Sequence, residues 1–262
     1  MIRLTSILAL FVLLFVCPLV VLVLNAVSSS WAFPEIIPAS FDLRSLRYLS
    51  VHSHDIALSL FFSCLYSFGT IVLTFGMTIM PAKLFARTSF KGKHLLEGFL
   101  LAPALIPPMA FALGAHFIFL RLGIADTIGG VILILSVVSY PYMLRALTAG
   151  YQTYGENFEL CARNLGASSW RTLLVIEIPL LLPALIAGAT IVFLVSFSEY
   201  FLVFLIGGGT VPSYSGYIFP LLNSSDKSVA SLLTLVFLVL PITFFFMIDR
   251  LIYRAYRKRG ML

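Results

Sequence analysis

Charge is scarce in this sequence: Asp, Glu, Lys and Arg together make up 11% of 262 residues. An ordinary soluble domain draws about a quarter of its residues from that set to cover its water-facing surface, so a soluble fold is excluded and no room is left for an extramembrane catalytic domain. Cysteine is rarer still. Cys17 and Cys64 stand in apolar runs and Cys161 in a polar connection, at spacings that suit neither a metal site nor a disulfide framework. There is no Gly-x-x-x-x-Gly-Lys-Ser/Thr phosphate loop, so the chain does not hydrolyse ATP in the usual way. No paired His/Glu motif or Ser/His pair falls within the apolar segments, which ranks an intramembrane enzyme last. His52 and His54, two apart on a connection, read as ordinary solvated histidines. What is abundant is apolar: 60% of the residues are hydrophobic, with 24 Phe and 11 Tyr, and the mean hydropathy is +1.05. That is far too apolar for disorder, and it places the chain in a membrane.

Crossing a bilayer core takes about 20 apolar residues in a helix. Six segments meet that length, at 7–27, 56–80, 95–120, 127–147, 179–206 and 229–248. Long continuous apolar runs point to helices, since barrel strands would show segments of about ten residues alternating in hydrophobicity. The expected fold is therefore an all-α membrane protein, a single transmembrane domain over 1–262. The first run is longer than a signal core and has bulky Val16 where cleavage wants a small residue, so it reads as a retained span.

Net charge is +6, and its placement gives it meaning. Thirteen of the 17 Lys and Arg fall in one alternating set of connections and four (Arg44, Arg47, Arg121 and Lys227) in the other. By the positive-inside rule both termini are expected in the cytoplasm. The tail Arg254-Ala-Tyr-Arg-Lys-Arg259 reads as an anchor on the anionic face of the lipid bilayer, and no nucleic-acid partner is expected.

Three features depart from plain lipid-spanning helix. Pro103 and Pro107 stand one turn apart with Pro108 adjacent, so the third segment is expected to kink or break, either to line a pathway or as a tolerated bend. Glu199, in Ser196-Phe-Ser-Glu-Tyr200, is the ionisable residue nearest to an intramembrane position. It stands 20 residues beyond Pro179, about 30 Å along a helix, which suits an outer gate and an interfacial carboxylate equally. Thr190, Ser196, Ser198, Glu199, Tyr200, Pro103 and Pro107 are the candidate translocation path or gate. Beyond them Gly207-Gly-Gly breaks the helix, and the Tyr214 to Pro220 stretch is expected at the outer interface or dipping back toward the bundle. Glu97 can face Lys93 at i, i+4.

The connection at 148–178 is the most informative. It mixes Leu160, Leu165, Trp170, Leu173 and Leu174 with polar residues, which predicts two short amphipathic helices separated at Gly166. An apolar face turned to the cytoplasm wants a partner.

Within it, Glu159-Leu-Cys-Ala-Arg-Asn-Leu-Gly166-Ala-Ser-Ser-Trp-Arg171-Thr-Leu-Leu-Val-Ile176-Glu-Ile-Pro179 resembles the cytoplasmic signature of the membrane-spanning subunits of ATP-binding-cassette importers. That signature reads Glu-Ala-Ala, three residues, Gly, nine residues, Ile, one residue, an apolar residue and Pro. Ala162, Gly166, Ile176, Ile178 and Pro179 fit it. The length, the six expected spans and the Ser-Phe-Ser-Glu-Tyr stretch resemble the subfamily with permeases for polyamines, ferric iron, thiamine, sulfate and phosphonates. One departure stands out: the signature's Glu falls at Leu160 and its first Ala at Cys161, with the acidic residue displaced to Glu159. One residue is about 100° around a helix, which puts the usual acidic contact in doubt.

The resemblance implies a type I importer permease bundle whose ATPase-coupling residues are Glu159, Leu160, Cys161, Ala162, Arg163, Gly166, Ala167, Trp170, Ile176 and Pro179. It implies no cofactor in this chain, with ATP and Mg bound by two cytoplasmic ATPase subunits. It further implies a second permease subunit (a heterodimer in preference to a homodimer), an external solute-binding protein, and a place in the bacterial cytoplasmic membrane. The rival reading is an ion-coupled secondary transporter or a channel-type subunit. That rival wants internal repeats and midplane ionisable residues, neither of which is clear here. The solute itself is not legible.

Overall fold

A computed structural model describes residues 2–29, 31, 34–224 and 226–258. Arg259, at the end of the basic tail, lies outside them. The described residues are helical apart from turns and one isolated antiparallel bridge between Ser28 and Phe41. In chain order the helices are α1 (Ile2–Ala26), α2 (Arg44–Val51), α3 (Ser53–Arg87), α4 (Lys93–Leu101), α5 (Pro108–Leu122), α6 (Ile128–Tyr154), α7 (Asn157–Asn164), α8 (Ser169–Thr172), α9 (Ile178–Ser198), α10 (Phe201–Ile206), α11 (Tyr214–Leu222) and α12 (Lys227–Lys258). Four stretches, Ser53–Arg87, Ile128–Tyr154, Ser169–Ser198 and Lys227–Met247, are long and apolar enough to cross a membrane, while Leu10–Ala26 and Met109–Leu122 are shorter apolar helices.

The chain divides into two compact units, residues 1–60 with 214–262, and residues 61–213. In the first, α12 packs against α1, α2 and α11. The carbonyl of Ala26 accepts from Ser45 Oγ at 2.5 Å and from Ser228 Oγ at 3.2 Å, so two hydroxyls satisfy the end of α1. Arg44 pairs with Asp226 at 2.8 Å. The Tyr214 stretch forms a helix whose Tyr214 is fully buried and donates to the Leu233 carbonyl at 2.9 Å.

The second unit is built on α6 and α9. Small residues let their backbones approach closely. A side chain on Gly150 would stand 2.6 Å from Ala184 Cβ, and one on Gly188 would stand 2.7 Å from Met143 Sδ. Around this seam, Ile79 and Phe85 of α3 join Met143, Leu147 and Tyr151 of α6 and Leu181 and Val192 of α9 in one apolar cluster. A second cluster joins Phe119 of α5, Ile134 and Leu135 of α6, and Leu202 and Ile206 of α10.

Two of the expected segments are interrupted, the third as its prolines predict and the fifth against expectation. The segment at 95–120 is α4, a 3₁₀ turn at Ala102–Ala104 and then α5, which starts at Pro108 behind an extended Pro107 (ψ 126°). Proline supplies no N–H and bars the α conformation to the residue before it, so the ladder stops here rather than bending. The segment at 179–206 stops at Ser198 and resumes as α10, with Glu199 extended between them (ψ 117°). Lys93 differs from expectation as well. Its ammonium donates to the carbonyls of Phe85 at 2.6 Å and Thr88 at 3.0 Å, where it satisfies the C-terminal end of α3.

Candidate functional site

The connection after α6 folds as a tight helical hairpin. α7 ends in a Schellman motif: Gly166 has φ +81°, its N–H reaches the Arg163 carbonyl at 2.9 Å, and the Ala167 N–H reaches the Ala162 carbonyl at 3.0 Å. Only a residue that tolerates the left-handed region serves there, which is what Gly166 supplies. Ser168 then caps α8, its hydroxyl accepting from the Arg171 N–H at 3.3 Å. Between α8 and α9 the chain makes a π-helical turn at Leu173–Glu177, and the Ile178 N–H bonds to the Leu173 carbonyl five residues back. Pro179 follows in the first turn of α9.

The hairpin has two unlike faces. Phe158, Leu160, Leu165, Trp170 and Val175 are exposed, Leu165 to 88% and Trp170 to 67%. Cys161, Arg163 and Gly166 are exposed beside them, while Ala167, Ile176 and Pro179 are half-buried. Ala162 and Glu159 point inward and are buried. The displaced acidic residue therefore leaves the outer face altogether, and Leu160 takes its place there.

Inward, Glu159 meets a charged cluster. Lys83 Nζ lies 2.6 Å from Glu159 Oε2 and 2.5 Å from Glu177 Oε1, and Arg87 Nη2 lies 3.2 Å from Glu159 Oε1. The Tyr154 hydroxyl donates to Glu159 at 2.8 Å and the Tyr151 hydroxyl to Glu177 at 2.9 Å. Arg87 also donates to the Gly155 carbonyl and sits over the Tyr154 ring, 5.0 Å from its centroid. Burial opposes the charged form of Glu159, but hydrogen bonds from Lys83 and Tyr154, the charge of Lys83 and a hydrogen bond from Arg87 outweigh it and hold the carboxyl below its ordinary range. Two cations thus meet two buried carboxylates, with the exposed Glu156 4.0 Å from Arg87 Nε, a buried nitrogen that has no hydrogen-bond partner among the described residues.

Of these residues the sequence reading had singled out only Glu159. Lys83, Arg87, Tyr151, Tyr154 and Glu177 were missed, although Lys83 and Arg87, one turn apart at the end of an apolar run, and Glu177 inside one are signals that charge in an apolar setting provides.

The candidate path residues do not gather into one site. Ser196 is buried, and its Oγ and Thr190 Oγ1 lack a hydrogen-bond partner among the described residues. Ser198 is exposed and bonds back to the Leu194 carbonyl at 2.7 Å. Glu199 Oε1 accepts from the Leu202 N–H at 3.2 Å, capping α10, with Tyr200 half-buried next to it. Pro103 lines an apolar groove with Met77, Phe111, Val137 and Tyr140, and Pro107 is exposed. What the structure does line up is a buried hydroxyl stripe on α3: Ser63, Ser67, Thr70, Thr74 and Thr78 recur at helical spacing, with Ser136 Oγ of α6 3.5 Å from the Thr70 carbonyl.

Comparison with known proteins accords with this architecture. The chain is 31% identical over 144 residues to the molybdenum transport system permease protein ModB of Escherichia coli K12, a match covering 49% of this chain and 61% of that protein. It is 27% identical over 214 residues to the probable sulfate transport system permease protein cysT of Nephroselmis olivacea, covering 75% of each. The chain thus spans less than two thirds of the length of the molybdenum relative. In fold it is similar to a chain of a bacterial ABC transporter involved in import of the acidic polysaccharide alginate, with a TM-score of 0.72 over 95% of both chains at 15% identity. Residues 2–258 match the family of binding-protein-dependent transport system inner membrane components, and the chain is a multi-pass membrane protein belonging to that family.

Proposed function

We propose that this chain is the permease subunit of an ATP-driven importer, which passes a small polar solute delivered by an external binding protein across the bacterial inner membrane. In this reading the bundle has six spans with both termini cytoplasmic. ATP and Mg are held by two separate ATPase subunits, and a second permease chain, unlike this one, completes the pathway. The observation that carries the proposal is the outer face of the α7–α8 hairpin. Leu160, Leu165 and Trp170 stand exposed on a loop that Gly166 and Ser168 hold in a defined shape. A stiff helix with an apolar face is the kind of element that seats in a partner's groove, and family membership supports an ATPase as that partner. Closure of the ATPase would move the hairpin, and with it α6 and α9, to alternate access between the two sides. The hydroxyls of α3 and Ser196 offer polar groups free of carboxylate for a solute path. The names of the molybdenum and sulfate relatives support a small inorganic oxyanion as the solute.

Copurification tests the assignment. A tagged chain is expected to retain an ATPase from its native membrane, and Gly166→Val, whose β-branched side chain strains the left-handed cap at φ +81°, is expected to release it. A chain that never retains an ATPase would overturn the proposal. Uptake of labelled molybdate and sulfate tests the solute separately, since failure of both removes the oxyanion and leaves the permease.

A further inference from the structure

The hairpin is joined by the chain to α6, which leads into it, and to α9, which leaves it. α3 is not its neighbour in sequence, for Lys83 stands 94 residues before Glu177, and Arg87 stands 72 before Glu159. Yet Lys83 reaches one carboxylate on each limb of the hairpin, Glu159 in α7 and Glu177 at the end of the π turn. We propose that Lys83 and Arg87 are positioning residues of a buried ionic clasp that makes α3 move with the hairpin as one body, so that a displacement imposed by the docked ATPase reaches α3 directly. The inference rests on the reading of the hairpin as the ATPase contact.

Geometry separates a clasp from mere adhesion. Phe85, Leu147 and Leu173 already hold these elements together through apolar contact, and such contact is non-directional and tolerates sliding. Charged hydrogen bonds do not slide. Lys83 is fixed between two carboxylates at 2.6 and 2.5 Å, and each carboxylate takes a further bond from a different tyrosine of α6. Because Lys83 and Arg87 are one turn apart, shifting the hairpin along α3 by a single turn would bring only one of the two cations to a carboxylate and leave the remaining charges unpaired, where Glu159 and Glu177 are 5% and 2% exposed. Because an apolar replacement of a buried ion pair often holds a fold equally well, what the ion pairs add is registry: α3, α6 and both limbs of the hairpin share one fixed point. The buried part of the cluster, Lys83 and Arg87 with Glu159 and Glu177, is charge-balanced, so it can travel as a unit without exposing net charge to an apolar surrounding.

The test uses the assembled transporter in proteoliposomes. Lys83→Met combined with Glu177→Gln removes one pair while keeping the cluster neutral, and Lys83→Arg keeps the charge. The double variant is expected to retain its ATPase and to hydrolyse ATP, while solute moved per ATP falls about tenfold, within the usual range of coupling between sites. Lys83→Arg is expected to recover most of the loss. Should the first pair not assemble, Arg87→Gln with Glu159→Gln reads the same ratio. An unchanged ratio in an assembled double variant overturns the clasp and leaves the permease intact. Loss of ATPase retention in the double variant also overturns it, since the cluster would then shape the docking face rather than transmit its movement. If the unaltered chain retains no ATPase, the permease reading falls and the clasp falls with it.

Discussion

Glu159 and Leu160 are neighbours in one short helix, yet the carboxylate is buried among cations and tyrosines while the leucine is half-exposed. The α7–α8 hairpin and the turn after it bury the carboxylates Glu159 and Glu177 while Leu165 and Trp170 stand exposed beside Arg163. A water-facing loop built only for solubility would do the opposite. The inner face holds the hairpin to the bundle by bonds that fail if one partner is removed. The outer face contributes little to the fold and is free to serve something else.

That contrast can be broken from either side, beginning with the larger effect. Glu177→Leu leaves Lys83 with Glu159 as its one carboxylate partner, shared with Arg87, and is expected to destabilise the protein by on the order of 3 kcal/mol, seen as a lowered melting temperature in detergent. Acidification attacks the same face more gently. Glu159 has a folded pKa below its unfolded value, so its contribution is present above the unfolded value and is lost as pH falls through the folded one. Melting temperature is therefore expected to fall as pH drops below about 4.3, and Glu159→Gln is expected to be less stable near neutrality but flatter across that window. A variant as steep as the parent would remove Glu159 from the account. On the outer face the stability effect is the smallest: Trp170→Ser is expected to change folding by less than about 0.5 kcal/mol while weakening ATPase retention at least about tenfold. If Trp170→Ser melts as low as Glu177→Leu, the two faces are not distinct.

How much of this was legible depends on the range of the interaction. The hairpin and its turn at Gly166 followed from local signals, a glycine between two amphipathic stretches and a proline opening the next helix, and the Schellman bonds span only a few residues. The break at Pro107 was equally local. The clasp was not legible because its halves are 72 and 94 residues apart, and neither half shows from its own neighbourhood which charge it will meet. The fifth segment read as continuous because no proline or glycine marks Glu199. The interruption there depends on an extended backbone and a side-chain cap, which residue type alone does not reveal. Helical spacing lets Glu97 face Lys93, but spacing alone does not show that the Lys93 ammonium donates to the carbonyls at the end of α3.

The π turn at Leu173–Glu177 carries a further consequence. α8, this turn and α9 form one rod of 30 residues, Ser169–Ser198, about 45 Å long at 1.5 Å per residue. A single π turn holds one residue more than the α-helix needs, so the two ends of the rod are out of phase by about 100°. The surplus residue acts as an indexing joint: it sets the azimuth at which Trp170 stands exposed independently of the azimuth at which Gly188 meets α6. Deleting one residue there would leave both ends well formed and turn them to the wrong bearings.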